Sequence, residues 1–238
     1  MGAATTSYET RHTGHAALGT HRHRDAYAAL VLDGSYLQPC VEGPYQCAPG
    51  TLLLHPRFHA HGNRFGRGGA RVANLDLPDP RGDRGLNVLQ VPDLRDAARI
   101  FAHADLPALR DLVRASVPAA CAPIPWQAAM LAALRDSERP VAEIAGALGV
   151  SPAHASRAMQ RAYGMGPLAL RRELRWRRAL GLLHGDASLA TVAADAGFAD
   201  QSHLNRVARA HSGSTPARLR RQIKSGQDAD AAALLQSA

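Results

Sequence analysis

Histidine is concentrated in the first quarter of the chain. Seven of the 12 histidines fall within residues 12–61. Neutral imidazoles are common ligands for Zn, Ni, Cu or Fe, and they can also line a pocket for an organic molecule. This concentration therefore favours a small-ligand site in the N-terminal half.

Positive charge is concentrated in the other half. From Arg139 to Lys224 the chain carries 14 Lys and Arg against 5 Asp and Glu, a net of +9, whereas the whole chain has a net charge of +8. A basic segment of this kind attracts a polyanion, and double-stranded DNA is the expected partner. A genome rich in Arg codons would explain Arg in place of Lys, but not the scarcity of acidic residues.

An internal repeat lies within this basic segment. The His and Arg of the run HASR at 154–157 recur 49 residues later in the run HLNR at 203–206. The Gly, Pro and Arg positions that follow match at the same offset. Upstream, residues 144–149 match residues 192–197 at an offset of 48, so the second copy has one extra residue in its turn. Each copy predicts a short helix, a Gly turn and a second helix, which is the geometry that places a helix in the major groove.

Residues that start and stop helices mark both copies. Gly149 is the expected stop of the first helix, and Ser151 is the expected N-cap of the second. Ser188, Gly197 and Asp200 are expected to do the same in the second copy. The second helix of each copy should then carry one polar face, with the Arg, Asn, Gln and Ser side chains that read base edges or bind phosphates. These outward residues are Ser156, Arg157 and Gln160 in the first copy, and Ser202, Asn205, Arg206 and Arg209 in the second.

A basic helix between the copies is expected to set their separation. That separation must suit one turn of DNA, about 34 Å, if both reading helices enter the same face. Leu168 and Trp176 are expected on the buried side of this helix. Arg177 falls outside that side and is a candidate for a contact to phosphate only.

The N-terminal half predicts strands followed by two helices. A β-like run at 26–36 ends at the turn dipeptide Asp33-Gly34, and residues 51–56 form a short apolar strand. Apolar residues at helical spacing predict two helices within 93–116, and three prolines in 117–125 predict a linker.

Residues 188–221 closely resemble the signature of the AraC/XylS family of transcription regulators. The runs Ala-Gly-Phe at 196–198, Asp-Gln-Ser-His-Leu at 200–204 and Gly-x-Thr-Pro at 213–216 carry the resemblance. The first copy is similar but weaker, since Ala stands where larger apolar residues are usual. The resemblance covers about residues 125–222. It implies seven helices, DNA binding through both units and transcriptional control, with RNA polymerase as a further candidate partner.

The resemblance also implies base contacts at matched positions of the two reading helices, namely Gln201, Ser202, His203 and Arg206 in one and Ala153, Ser156 and Arg157 in the other. Because Ala153 cannot hydrogen-bond to a base, the first helix either relies on Ser156, Arg157 and Gln160 or discriminates weakly.

The N-terminal half is more loosely similar to the cupin-like effector domain of such regulators. His21-x-His23 keeps the spacing of the first cupin motif, in which Tyr27 replaces the usual Glu. His61 keeps its place in the second motif, in which Phe58 replaces the usual Gly. This resemblance implies a β-barrel with His21, His23 and His61 at three of the four metal-ligand positions.

Two kinds of ligand stay open for this domain, as does the alternative that it binds none. One is a divalent metal (Zn, Ni, Cu or Fe) held by the three histidines, and the other is an organic effector in the barrel. Cys40 and Cys47 are expected to be buried small hydrophobes and not ligands. A function of another class, a cupin-type metalloenzyme with an accessory helical domain, needs a complete ligand set and a catalytic acid or base. Tyr27 at the Glu position argues against it.

These features together predict an α+β protein of two domains. The expected regions are a cupin-like effector-binding barrel at 1–92, a helical pair that joins two copies in a homodimer at 93–116, a linker at 117–125, an all-α domain of two helix-turn-helix units at 126–222 and a flexible tail at 223–238. The alternative, in which the helical pair covers the barrel of a monomer, stays open. With no run of 18 apolar residues, no signal-peptide core and three cysteines, we expect a reduced cytoplasmic protein without a membrane partner.

Overall fold

The computed structural model describes residues 6–77, 85–121 and 123–224. Within these ranges, an N-terminal domain of eight β-strands and two α-helices is followed by a C-terminal domain of seven α-helices. The predicted two-domain α+β fold is confirmed. The predicted tail at 223–238 begins inside the last helix, and the remainder of it lies outside the described residues.

The strands of the N-terminal domain form one antiparallel sheet. They are β1 (Ser7–His12), β2 (Ala17–Arg22), β3 (Ala26–Cys40), β4 (Gly43–Cys47), β5 (Thr51–His55), β6 (Ala60–Leu77), β7 (Asn87–Gln90) and β8 (Val117–Pro118). The two longest strands, β3 and β6, lie side by side at its centre. β3 pairs with β5 near its start and with β4 near its end, while β6 pairs with β2 and then with β1.

The predicted turn at Asp33-Gly34 is instead an irregularity inside a continuous strand. β3 passes through this dipeptide, and its pairing with β6 shifts register on both sides of it. Gly34 has a φ of +73°, and a Cβ there would lie 2.1 Å from the carbonyl oxygen of Gly69. The dipeptide does supply a positive φ, but for a bulge between two halves of one strand and not for a hairpin.

Two helices, α1 (Leu94–Ala102) and α2 (Leu106–Ala115), cover this sheet. Asp93 and Asp105 cap them by accepting hydrogen bonds from backbone amides of the first turn. Their apolar residues lie in the same core as the strands, and the buried ones are Ala97, Phe101, Leu109, Leu112 and Val113. The homodimer was expected because these helices carry many apolar residues. Since those residues are buried within one chain, they do not support a dimer, and the homodimer stays a prediction.

The segment predicted as a linker, 117–125, differs from the structure at both ends. Val117–Pro118 form β8, which pairs with β7, and Ala119 N donates to Val88 O at 2.8 Å. The first C-terminal helix already begins at Pro125. The Pro-rich composition predicted a linker and not a strand. Proline is nevertheless tolerated in an edge strand, where its nitrogen needs no hydrogen-bond partner.

The C-terminal domain is entirely helical within the described residues. Its helices are α3 (Pro125–Asp136), α4 (Val141–Ala147), α5 (Pro152–Tyr163), α6 (Pro167–Leu182), α7 (Leu189–Asp195), α8 (Gln201–Ser212) and α9 (Pro216–Lys224). No helix in the described part of the chain has the length and apolar character needed to cross a membrane.

The two domains share hydrophobic cores. Phe58 of the sheet domain is buried in the core around Trp176, with the two ring centroids 6.4 Å apart. Val41 and Ala60 of the sheet domain likewise belong to the core formed by α3, α4 and α5. Because each of these clusters draws side chains from both domains, the domains pack against each other as one unit.

Candidate functional site

The first helix-turn-helix unit consists of α4 and α5. Gly149, with a φ of +71°, follows the end of α4. The hydroxyl of Ser151 then starts α5 by accepting a hydrogen bond from His154 N at 3.2 Å, and Gly164 ends it with a φ of +72°. Local chemistry therefore determines both the turn and the length of the second helix.

α7 and α8 repeat this geometry. Ser188 accepts from an amide of the first turn of α7, and Asp200 accepts from His203 N at 2.6 Å to start α8. Gly197 and Gly213 have φ values of +83° and +69°. The repeat in the sequence is therefore a repeat of backbone conformation.

The polar faces predicted for α5 and α8 lie at the surface. The exposed members of the predicted set are Ser156, Arg157, Gln160, Gln201, Ser202, Arg206 and Arg209. The other two, His203 and Asn205, are half-buried, and the ring of His203 packs edge-on against Phe198 at 5.2 Å between centroids. Both helices thus present donors of the kind that reach base edges and phosphates.

The end of α5 is held by the sheet domain. Arg64 of β6 donates to the carbonyl oxygens of Arg161 at 2.7 Å and of Gln160 at 3.4 Å. Gln160 Nε2 donates to the carbonyl oxygen of Gly164 at 2.7 Å. The amide of Gln160, which was expected to read DNA, therefore closes the helix end in this conformation.

Arg177 on the joining helix α6, a candidate phosphate contact, forms an ion pair within the protein. Its guanidinium lies 2.9 Å from the carboxylate of Glu42 in the sheet domain, and its side chain is 15% exposed. Leu168, expected on the buried side, is 67% exposed, whereas Trp176 is buried as predicted.

A cavity of about 130 Å³ lies within the sheet domain. Its lining comes from β1, β2, β3, β5 and β6 and consists mainly of aromatic, imidazole and carboxamide side chains. The three predicted ligand residues, His21, His23 and His61, all line it. The structure therefore brings together residues that are up to 40 positions apart in the sequence.

The three histidines fit a divalent transition metal. Their ligand atoms lie within 4.8 Å of one another, and the ring centroids of His21 and His61 are 4.4 Å apart. His21 Nδ1 donates to Gly19 O at 2.9 Å and His61 Nδ1 donates to His59 O at 3.3 Å. Because a carbonyl holds the proton on Nδ1 of each ring, the lone pair is on Nε2. In His61 this lone pair accepts a hydrogen bond from the Tyr27 hydroxyl, which a metal would have to displace.

The protonation states agree with that fit. Burial, together with neighbouring histidines, lowers the pKa of His23 and holds the pKa of His61 well below its ordinary value. These rings are therefore neutral at pH 7, as metal ligation requires. Tyr27 stands where the cupin motif has Glu, and its hydroxyl donates to His61 Nε2 at 3.2 Å. Burial raises the pKa of Tyr27, so this position supplies a neutral hydroxyl and no fourth charged ligand.

Two histidines that the sequence did not single out extend the cluster. The ring centroid of His55 lies 4.4 Å from that of His61, and His59 Nε2 donates to the Glu42 carboxylate at 2.8 Å. Glu42 also pairs with Arg177 of α6. Burial alone would raise the pKa of Glu42, but His59 and Arg177 hold that pKa below its usual range. The spacing His59-x-His61 was a signal that could have identified His59.

Strand β2 has one side on the cavity and the other on the helical domain. His21 lines the cavity, whereas the flanking Thr20 and Arg22 contact helices. The Thr20 hydroxyl donates to Gly164 O at 2.7 Å at the end of α5, and Arg22 pairs with the fully buried carboxylate of Glu173 on α6. Because side chains alternate across a strand, a shift of β2 at the cavity must also be felt at α5 and α6.

The segment between His55 and His61 makes a second link of this kind. Phe58 N donates to His23 O at 2.8 Å, while its ring enters the core around Trp176. Its φ of +57° is unusual for a residue with a side chain, and it occurs where the cupin motif has Gly. The chain keeps a backbone conformation suited to Gly and uses an aromatic ring to contact the other domain.

Comparison with known proteins gives one match of a family model and several similar solved structures. A family model described as a helix-turn-helix domain matches residues 144–222, which span both units. No curated protein sequence matches the chain. Among solved structures, the chain is similar to ToxT from Vibrio cholerae, with 10% identity, a TM-score of 0.44 and coverage of 94% of this chain and 100% of ToxT. It is also similar to an AraC-type transcriptional regulator from Chromobacterium violaceum, with 24% identity, a TM-score of 0.40 and coverage of 43% and 95% of the two chains.

Proposed function

We propose that the chain is a DNA-binding transcription regulator of the AraC type, that it reads two neighbouring major-groove segments with α5 and α8, and that a ligand in the N-terminal cavity controls this reading. The match of residues 144–222 to a helix-turn-helix family model supports the proposal. The observation that carries the proposal is the matched pair of exposed helices in a segment of net charge +9. The match to a helix-turn-helix family model supports this proposal over the alternative of a metalloenzyme with an accessory helical domain.

The proposed base and phosphate contacts are unequal in the two helices. α8 supplies Gln201, Ser202, His203, Asn205, Arg206 and Arg209. α5 supplies Ser156 and Arg157, while Gln160 can contribute only if it releases the end of its own helix. The second unit is therefore expected to provide most of the sequence discrimination.

DNA binding is tested by fluorescence anisotropy with duplex DNA from upstream of the gene that encodes the chain. A random duplex of the same length is the control, and both are titrated at several salt concentrations. We expect at least about a thousandfold preference for the upstream DNA, and an affinity for both that falls as salt rises. Equal affinity for the two duplexes would contradict sequence-specific reading.

The ligand of the cavity is proposed to be a divalent metal (Zn, Ni, Cu or Fe) on His21, His23 and His61, or an organic effector beside them. A bound metal would supply a fixed positive charge that draws the three imidazoles together. Metal analysis of untagged protein tests the first form, with His23→Ala expected to abolish binding. His103→Ala is the matched control, since His103 is an exposed histidine at the end of α1. Metal retained by His23→Ala would exclude this ligand set.

Control is proposed to pass from the cavity to the reading helices through β2 and Phe58. A ligand that repositions His21 or His23 also repositions Thr20 and Arg22, which hold the end of α5 and the middle of α6. Such a ligand changes DNA affinity only by as much as it prefers one arrangement of these contacts over another.

A homodimer and a contact with RNA polymerase stay predictions. The apolar residues of α1 and α2 give the homodimer no support, because they are buried against their own sheet. Sedimentation of the full chain at tens of micromolar, with and without DNA, tests it, and a monomer under both conditions would exclude it.

A further inference from the structure

Among the described residues that line the N-terminal cavity there is no Lys, Arg, Asp or Glu. The polar groups there are imidazoles, hydroxyls and carboxamides, and the surfaces between them are mostly aromatic. An organic anion that entered would find no fixed cation in this lining, and burial of an unpaired charge is costly. The lining therefore favours a neutral molecule.

Gln38 offers this cavity a hydrogen-bond donor without a partner. Its side chain is almost completely buried, at 1% exposure, and it lines the cavity. Its Oε1 accepts from Asn63 Nδ2 at 3.5 Å, which orients the amide, while Nε2 has no partner among the residues that the structure describes. A buried N–H left unpaired is destabilising, so an oxygen acceptor on a ligand would be favoured at this point.

Aromatic rings flank this amide. Tyr36 lies two residues before Gln38 on β3 and pairs across the sheet with Phe65 of β6, with 5.4 Å between ring centroids. His12 stacks on Phe65 at 4.2 Å. The cavity of about 130 Å³ is close to the size of an apolar cavity that accommodates benzene, about 150 Å³. Its walls and its size thus suit one six-membered aromatic ring with a small substituent.

We propose that the cavity binds a small, neutral aromatic compound bearing one carbonyl oxygen, which accepts a hydrogen bond from Gln38 Nε2. This inference rests on the proposed function, since it names the class of the organic effector. It deepens that function because recognition by a neutral amide selects for an acceptor and against a carboxylate.

Three probes of nearly the same shape test the proposal. Acetophenone has the carbonyl oxygen, α-methylstyrene has a methylene in its place, and benzoate has a negative charge. Binding of each to the full chain, treated with a chelator, is measured by calorimetry for the wild type, Gln38→Met and Gln90→Met. Gln38→Met keeps the length of the side chain but removes its donor. Gln90→Met is the matched control, because Gln90 is exposed and lies outside the cavity.

The wild type and Gln90→Met are expected to bind acetophenone about five to ten times more tightly than either of the other probes, the effect of one neutral hydrogen bond. Gln38→Met is expected to bind acetophenone and α-methylstyrene equally, and retained binding of α-methylstyrene shows that its cavity is intact. Equal binding of these two probes by the wild type, tighter binding of benzoate, or no binding of any probe would overturn the proposal.

The same samples are titrated with upstream and random DNA. Protein that prefers the upstream DNA but binds no probe contradicts only the class of effector. Protein that fails to distinguish the two duplexes contradicts the proposed regulator function, whatever the probes do. Tightest binding of benzoate after Zn²⁺ is added would assign the cavity to metal-bound anions and overturn the neutral-ligand proposal.

Discussion

Gly164 and Gly213 occupy the same place in the two helix-turn-helix units, where they end α5 and α8 with φ values of +72° and +69°. Their surroundings differ. A Cβ on Gly164 would lie 2.9 Å from the hydroxyl of Thr20 and 3.4 Å from the ring of Pro39, both in the sheet domain. A Cβ on Gly213 would meet no atom of the described part of the chain within 4 Å. One copy of the unit is docked on the ligand-binding domain, and the other is free at that point.

Because of this difference, the two helix-turn-helix units can have different roles in DNA binding. The resemblance places Ala153 at a base-facing position of α5, and the Gln160 amide closes the end of that helix. More of the proposed base-reading side chains lie on α8, whose end is not docked on the sheet domain. We infer that the second unit anchors the protein on DNA, while the sheet domain adjusts the first unit through the end of α5.

The largest effect on stability is expected from loss of an ion pair between the sheet domain and the helical domain. Arg22→Ala leaves the carboxylate of Glu173, which is 0% exposed, without its cationic partner. Loss of one partner from a buried ion pair is expected to lower the free energy of unfolding by about 3 kcal/mol, measured by urea denaturation. Arg71→Ala is the matched control. Its pair with Glu9 is exposed, so the cost is expected to stay below about 1 kcal/mol.

A double variant identifies the cause of that loss. Arg22→Ala combined with Glu173→Gln is expected to recover part of the stability, because it removes the unpaired buried charge. If Arg22→Ala costs no more than Arg71→Ala, the docking contact does not contribute as described.

The next effect compares the two reading helices on DNA. Arg206→Ala is expected to cost about 1–3 kcal/mol on upstream DNA and less on random DNA, since a base contact is lost. Arg157→Ala on α5 is expected to cost less than Arg206→Ala on upstream DNA. Arg114→Ala, an exposed Arg on α2, controls for the loss of one positive charge. Anisotropy titrations measure all three, and a larger loss for Arg157→Ala would reverse the assignment of tasks.

The two glycines provide a smaller, local comparison. Gly213→Ala is expected to destabilise by about 1 kcal/mol, since alanine adopts positive φ unfavourably. Gly164→Ala is expected to cost about twice as much because its Cβ also crowds Thr20 and Pro39. Thermal unfolding measures both. In a Thr20→Ala background the extra cost at Gly164 should shrink, and an unchanged difference would mean that the sheet domain does not press on α5 there.

The sequence predicted the helical units well because the residues that begin and end their helices act locally. Ser151, Asp200 and the glycines act on residues within one turn, so their roles do not depend on what packs nearby. The three cavity histidines were identified through the resemblance to the two cupin motifs, which implies that they share one site.

The failures all depended on distant partners. Arg177 lies on the polar side of its helix, but only the folded chain shows that this side meets Glu42. Asp33-Gly34 supplies a positive φ, yet pairing with β6 decides that it becomes a bulge. Gln38 looks like any strand residue until its amide is found buried beside Asn63. The local sequence pattern predicts the backbone conformation of a residue, but the tertiary structure determines which residues it contacts.

The smallest expected effect concerns pH and His211 of α8, which lies 4.0 Å from Glu173 and edge-on to Trp176. Burial, with help from Arg22 and Arg172, lowers the pKa of His211 to about 4. An unfolded chain binds this proton below about pH 6.5, so the contribution of neutral His211 to stability is lost as pH falls from about 6.5 towards 4.

His211→Gln should therefore flatten the pH dependence of unfolding. The change at pH 5 is expected to stay below about 1 kcal/mol, because the site is partly solvated. Unfolding measured at pH 7 and pH 5 for both proteins isolates this group from the cavity histidines. An unchanged pH dependence would show that the second unit is independent of the docking pair.

Phe58 restricts which sheet domains could replace the present one by recombination. A sheet domain acquired by recombination would have to present an aromatic ring at the same left-handed turn, or it would leave a void beside Trp176 in the DNA-binding half. Conversely, the helical domain expressed on its own would expose that apolar surface to solvent and be prone to aggregation. The two halves are thus expected to change together in evolution, in contrast to domains that are joined only by a linker and can be exchanged freely.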